Sequence, residues 1–386
     1  MSTRRAVCGA AMFVAVAASA GDVGTIRAPG RLSETGLYAT TGTGSIDPRN
    51  LPYAPQYPLW SDGAVKTRWI RLPEGAAIDV SNPDAWVFPV GTKLWKEFAF
   101  SGRKIETRML WRASADAWVY ATYAWNVEQT EAVLAPEEGM RNHVEIASAK
   151  RHSIPGVSDC KSCHESAPSQ VLGFNALQLS DDRDPMAVHA EPLRPGMVTL
   201  RLLAENHRLD PPRPEFVTSP PRIRAASPRE RAVLGYFAGN CGHCHNTSGP
   251  LARIGLVLAP DASPPAAQGP EPAIPTAVNA KGRFQVPGVQ DGATRLVAPG
   301  APERSAIVYR MRSRRPTSQM PPLGTELADA DAIRLVESWI ADDLAPASAS
   351  GPVPASPPAE AAPAPCTTGP SGRASPAPGL LRTPAS

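Results

Sequence analysis

Ser227-Pro228-Arg229-Glu230-Arg231-Ala232-Val233-Leu234-Gly235-Tyr236-Phe237-Ala238-Gly239-Asn240 runs directly into Cys241-Gly242-His243-Cys244-His245. A serine followed by proline at the first helical position and glutamate three residues on is a capping-box start. Ala232, Val233, Leu234, Tyr236 and Phe237 give the ensuing helix an apolar face. The helix therefore delivers two cysteines and a histidine to its C-terminal end.

The same pattern occurs earlier, as Cys160-Lys161-Ser162-Cys163-His164. Of the six cysteines in the chain, these two pairs account for all but Cys8 and Cys366. CxxCH is the spacing at which two thiols form thioethers to haem vinyl groups while the next residue ligates iron. A redox dithiol, or a four-cysteine zinc site made by both pairs, uses the same thiols. Neither needs a histidine at that fixed place twice. Two covalent c-type haems are thus expected, attached at Cys160 and Cys163 and at Cys241 and Cys244, with His164 and His245 as iron ligands.

Met320 in Ser318-Gln319-Met320-Pro321-Pro322 is the candidate sixth ligand of the second haem, because two prolines stiffen the loop that carries it. Beyond it, Ile333, Val336 and Ile340 recur at helical spacing with Trp339 beside them, predicting a helix from Asp329 to about Ala341. Residues 227–344 resemble the small class I cytochrome c domain. The resemblance implies that the face carrying Tyr236 and Phe237 packs against the face carrying Trp339. The interval from His245 to Met320 is longer than a compact cytochrome needs, and the proline-rich Pro260–Pro275 stretch is expected to loop out. His243, inside the motif, is expected to be exposed and without a role.

No amphipathic helix precedes the first motif; Arg151-His152-Ser153-Ile154-Pro155-Gly156 does. A second class I domain is not expected there. With the following Gln170–Leu179 segment and a β-rich N-terminal third, the chain from Leu32 to Leu344 resembles a bacterial group of exported two-haem cytochromes. Candidates for the sixth ligand of the first haem are Met186, His189, Met197 and His207, or none. His189, between Pro185 and Pro195, is favoured. Asp181, Asp182 and Asp184 lack the glycine and glutamate of a calcium loop and are expected to form a solvated turn.

Seven of the eight tryptophans precede residue 130, marking a different kind of domain. Val65–Leu72, Glu106–Arg112 and Trp118–Trp125 combine β-branched and aromatic residues with period-two character. Short polar stretches between them predict antiparallel hairpins in a sandwich or meander. The fold expected is therefore multidomain: an N-terminal antiparallel, sandwich-like β domain (21–150), a first haem segment (151–226), a mostly α cytochrome c-like domain (227–344) and a disordered Ala/Pro/Ser tail (345–386). Pro211–Pro221 is expected to be a linker or surface insertion.

Residues 1–20 read as a secretory signal: Arg4 and Arg5, the apolar run Ala6–Ala18, then Ala18-Ser19-Ala20 as a cleavage site. Cys8 leaves with it, and Cys366 in the tail carries no functional expectation. The net charge of +3 excludes a strongly basic nucleic-acid binder, and no stable transmembrane segment is expected in the mature chain. An exported or periplasmic protein exchanging electrons with a periplasmic or membrane donor and acceptor is the leading expectation. A haem enzyme with an open first haem, such as a peroxidase or a dehydrogenase component, is the alternative; a cytochrome docked by a β recognition module is another.

Overall fold

A computed structural model describes residues 26–40, 42–261 and 269–345. The expected signal, the tail and both outlying cysteines lie outside the described residues.

Ten strands occupy the first half and a little beyond: β1 Leu51–Pro52, β2 Val65–Arg71, β3 Ile78–Asp79, β4 Lys93–Phe100, β5 Arg103–Arg112, β6 Trp118–Trp125, β7 Ala132–Leu134, β8 Met140–Ala147, β9 Lys150–Ile154 and β10 Leu209–Asp210. Six of them form one antiparallel sheet in the order β1-β2-β4-β5-β6-β7. The turn joining β4 to β5 is Ser101-Gly102, both at positive φ (48° and 78°), the two-residue geometry whose twist suits a hairpin. β8 pairs with β9, and β10 pairs in parallel with β3.

Of the expected sandwich or meander, the six-stranded sheet is a meander, and it is buried on both faces. One face carries Trp69, Trp95, Met109, Tyr123 and Trp125, covered by Leu32, Leu37 and Tyr38. The other carries Ile70, Leu94, Leu110 and Tyr120, covered by Val171, Phe174, Leu179, Leu203 and Phe216. The cover of the second face comes from the segment that follows the first CxxCH motif together with Trp86, Phe88 and the two-stranded β3/β10 sheet, which contributes Ile78 and Leu209. Phe216 lies in the short helix α3 (Glu215–Thr218), inside the stretch expected to be a linker.

Helices gather after the sheet: α1 Val157–His164, α2 Leu200–Glu205, α4 Pro228–Asn240, α5 Ala273–Ala277, α6 Ala306–Arg312 and α7 Ala330–Ser338, the last continuing as a π-turn through Asp343. Ser227 Oγ accepts the Glu230 N–H at the start of α4, as its capping pattern requires. Glu230 departs from the full box. One of its oxygens accepts the Ala226 N–H and the other accepts Trp339 Nε1–H. Asp329 caps α7 by accepting the Ala332 N–H. Phe237 and Trp339 meet edge to face, 6.3 Å between centroids, where α4 crosses the α7 end.

The expected divisions at 150/151 and 226/227 are not breaks in packing. Residue 150 begins β9, paired to β8, so the first division cuts a ribbon. Tyr57 and Leu177 belong to the same core as Val233, Phe237, Val336 and Trp339. Gly235 and Gly239 explain how α4 approaches so closely. A Cβ at Gly235 would meet the Tyr57 ring at 2.0 Å, and one at Gly239 the Tyr57 carbonyl oxygen at 2.3 Å. Asp182 and Asp184, expected in a solvated turn, tie this junction together: Asp182 accepts from Arg231, and Asp184 from the Tyr57 hydroxyl and the Met186 N–H.

Candidate functional site

α1 contains the first CxxCH motif within its eight residues. Its N-terminus is set by Asp159, whose carboxylate accepts the Gly156 N–H at 3.0 Å. Gly139 and Gly156 let the incoming backbone lie against the Glu137–Glu138 turn; a Cβ at Gly139 would meet the Ile154 carbonyl oxygen at 2.4 Å. The helix rests on β6, with the His164 ring 5.6 Å from that of Tyr120. Cys160 packs at the edge of the sheet core.

A cavity of about 550 Å³ opens between this helix, the sheet face and the second motif. Cys160, Cys163 and His164 line it from one side, Leu94, Lys96, Arg108 and Leu110 from the sheet, and Gly242, His243 and Asn246 from the second motif. His164 Nδ1 is 2.5 Å from the Gln170 carbonyl oxygen, which fixes Nδ1 as the donor and leaves Nε2 as the free ligating atom. Burial, against the Gln170 hydrogen bond and helped by the charges of Lys96 and Arg108, pulls His164 down to about 4. Its imidazole is therefore neutral near pH 7, the form that binds iron.

The two motifs, some eighty residues apart, lie side by side. The Cys163 and Cys244 thiols face each other, and their interaction pulls Cys244 down and pushes Cys163 up. Asn246 Nδ2 reaches the Ser166 carbonyl at 3.0 Å, and a Cβ at Gly249 would meet the same oxygen at 2.4 Å. Burial raises Cys160 and lifts Cys241 to about 12, so both thiols are protonated near neutral pH. No disulfide joins the four. Among the described residues no three His, Cys, Asp or Glu side chains converge as a metal cage, which the four-cysteine zinc alternative would require.

His245 is held through its backbone: its N–H donates to the Cys241 carbonyl, and its carbonyl accepts from Leu258 and Ala259. Its Nδ1 is buried without a partner. Met320 borders a cavity of about 10 Å³ with Trp60, Tyr236, Met311, Arg314 and Asp329. His245 and Cys241 do not line that cavity. The Met320 N–H donates to the Arg310 carbonyl, tying its loop to α6.

His189, favoured as the first haem's sixth ligand, is turned to another task. Its Nε2 faces both Asp329 oxygens at 2.9 and 3.0 Å, and its ring stacks on Trp60 at 4.8 Å. Met186 and His207 are exposed, and the Met197 sulfur takes the Arg194 N–H at 3.4 Å. None of the four lines the cavity that holds His164. The histidine that does is His243, half-buried where exposure was expected. A motif's interior positions face outward in a single-haem domain, but here the first motif and the sheet close over them.

The cavity brings together two thiols, a neutral histidine with an oriented free nitrogen, apolar walls and the cations Arg68, Lys96 and Arg108, residue types that could hold a covalently attached tetrapyrrole. The second site offers the same residue types with a buried, unsatisfied His245 nitrogen. No helix among the described residues is long and apolar enough to cross a membrane. No family model, curated protein or solved structure matches this chain.

Proposed function

We propose that the chain is an exported two-haem c-type cytochrome that passes single electrons between a periplasmic or membrane donor and an acceptor. The observation that carries the reading is the juxtaposition of Cys163 with Cys244 beside the oriented His164. Thioethers formed at those two cysteines would place the edges of two redox groups against each other, as direct exchange between them requires. A haem supplies one-electron chemistry at its iron. The chain's part is to ligate through His164 and His245, with Met320 proposed for the second iron, to exclude water and to set potentials.

A haem enzyme is the second reading. It is favoured by one observation: none of Met186, His189, Met197 and His207 reaches the large cavity, which leaves room beside His164 for a small molecule. The recognition-module reading has less behind it, since Trp69, Trp86, Trp95 and Trp125 are buried in the sheet cores rather than displayed.

Visible and low-temperature electron paramagnetic resonance spectra test these readings on protein from a host with haem-attachment machinery. Two low-spin haems, one with methionine–histidine ligation, support the electron carrier. A high-spin first haem that binds carbon monoxide moves the assignment to catalysis, and a chain without covalent haem overturns both.

A further inference from the structure

One row of the sheet face under the cavity is occupied by like charges. In register across the strands stand Arg68 on β2, Lys96 on β4, Arg108 on β5 and Thr122 on β6. Cations directly opposite one another in a sheet repel, and burial magnifies the cost. Arg108 is neutralised by Glu106, which takes two of its hydrogen bonds. Arg68, 3 % exposed, gives Nη1 to Glu191 at 2.8 Å, while its Nη2 is buried with no partner among the described residues. Lys96 has no carboxylate within ion-pair distance among the described residues; its Nζ lies over the Phe98 ring, 4.9 Å from the centroid. Both side chains line the cavity. Such an arrangement is unfavourable unless Lys96 sheds its proton, the direction in which burial and Arg68 push it, or an anion completes the site.

The position of the row identifies the anion. Thr122 sits beside Cys160 at one end. Three strand spacings of about 4.8 Å separate that end from Arg68, roughly 14 Å in all. That is comparable to the long dimension of a porphyrin from its thioether edge to its carboxylate edge.

Resting on the two-haem reading, we propose that Arg68 and Lys96 hold a pair of carboxylates, supplied by the propionates of the haem attached at Cys160 and Cys163. A free dicarboxylate is the other source of the same chemistry. The β sheet is then one wall of the first haem site. Arg68 can give a carboxylate its unused Nη2–H while keeping Glu191, and Lys96 brings a point charge next to it. Positive charge at the propionate edge favours the reduced iron.

The test uses the haem-loaded chain with Arg68→Gln, Lys96→Gln and the double substitution, and Lys104→Gln as control, since Lys104 pairs with Glu97 at the sheet's hairpin end. Intact mass first counts attached haems. Absence of haem at Cys160 and Cys163 in the unsubstituted protein defeats the two-haem reading itself, a result separate from anything the variants do. With both haems attached, the double variant should shift the first haem's reduction equilibrium at least tenfold toward the oxidised form, about 59 mV for one electron. The second haem and the Lys104→Gln control should stay in place. Lys96→Gln removes no hydrogen bond within the protein, so it keeps the test readable if Arg68→Gln folds poorly. Succinate added to the unsubstituted protein should change neither spectrum nor potential, the cations being occupied. Saturable succinate binding that the double variant loses would overturn the propionate assignment in favour of a free dicarboxylate. Unchanged potential together with no succinate binding would overturn the site altogether.

Discussion

His152 is the residue whose titration should be felt throughout the fold. It is 2 % exposed, with Nε2 3.0 Å from Glu106 on β5 and Nδ1 3.5 Å from Asp62. Asp62 in turn accepts the N–H groups of Glu326 and Leu327, in the loop that follows Met320. Burial alone would lower the imidazole, but the hydrogen bonds to Asp62 and Glu106 outweigh it and raise His152 from 6.5 to about 9. A group raised on folding contributes stability that is complete below its unfolded value and is lost as pH rises through its folded one. The window here runs from about pH 6.5 to 9. At about 1.36 kcal/mol per pH unit the contribution is about 3 kcal/mol, to order of magnitude. His152→Gln keeps the shape and removes the titration. Urea unfolding of the haem-loaded protein and the variant, each followed at several pH values, should show a stability difference that shrinks by about 3 kcal/mol between pH 6 and pH 9.5. A difference that stays constant over that range would refute the assignment of a protonated His152 between the two carboxylates.

Four further outcomes are expected. Met320→Ala should abolish the methionine–histidine signature of the second haem and lower its potential, read by electron paramagnetic resonance and redox titration; an unaltered signature would place the ligand elsewhere. His243→Ala should convert a low-spin first haem to high spin if the cavity-facing imidazole completes its coordination, while leaving the second haem's spectrum as it was. Gly239→Ala should cost about 1–3 kcal/mol by overpacking, because a Cβ there meets the Tyr57 backbone oxygen, which cannot rotate away; thermal unfolding equal to that of the unsubstituted protein would mean that α4 is docked less tightly. Trp339→Ala should cost about 3–5 kcal/mol, since the indole is 1 % exposed, packs on Phe237 and donates to Glu230, and denaturant titration measures it.

Local chemistry was the legible part of this sequence. Strand β6 lies at the expected Trp118–Trp125, the α4 cap forms at Ser227, and α7 follows Asp329, where a helix was expected to begin. Strand β4 was missed because Lys93-Leu94-Trp95-Lys96-Glu97-Phe98 does not alternate cleanly: both faces of the sheet are buried, so Leu94 and Trp95 are both core. Period-two reasoning assumes one wet face. The segment that covers the second face has only the two-residue strand β10 and short helices to announce it, and Phe216 enters the core from among prolines. His189 looked available because a loop position says nothing of a partner 140 residues away, and Asp329 claims its ring. The same blindness to long-range pairing hid His243 and the cation row, whose members are separated in sequence and meet only through strand register.

The shared core beneath the first motif sets an order of events for a chain delivered N-terminus first. Strands β2 to β7 emerge before residue 160, yet the apolar cover of their second face is completed only when Val171, Phe174, Leu203 and Phe216 arrive. If the chain is exported and carries the proposed haem, Cys160, Cys163 and His164 would by then lie outside while the face they rest against is still partly uncovered. An attaching enzyme would have its opening while the sheet is unfinished, and residues 171–216 would close the door behind the newly bonded pigment. Folding of its own wall would then time the maturation of the first centre.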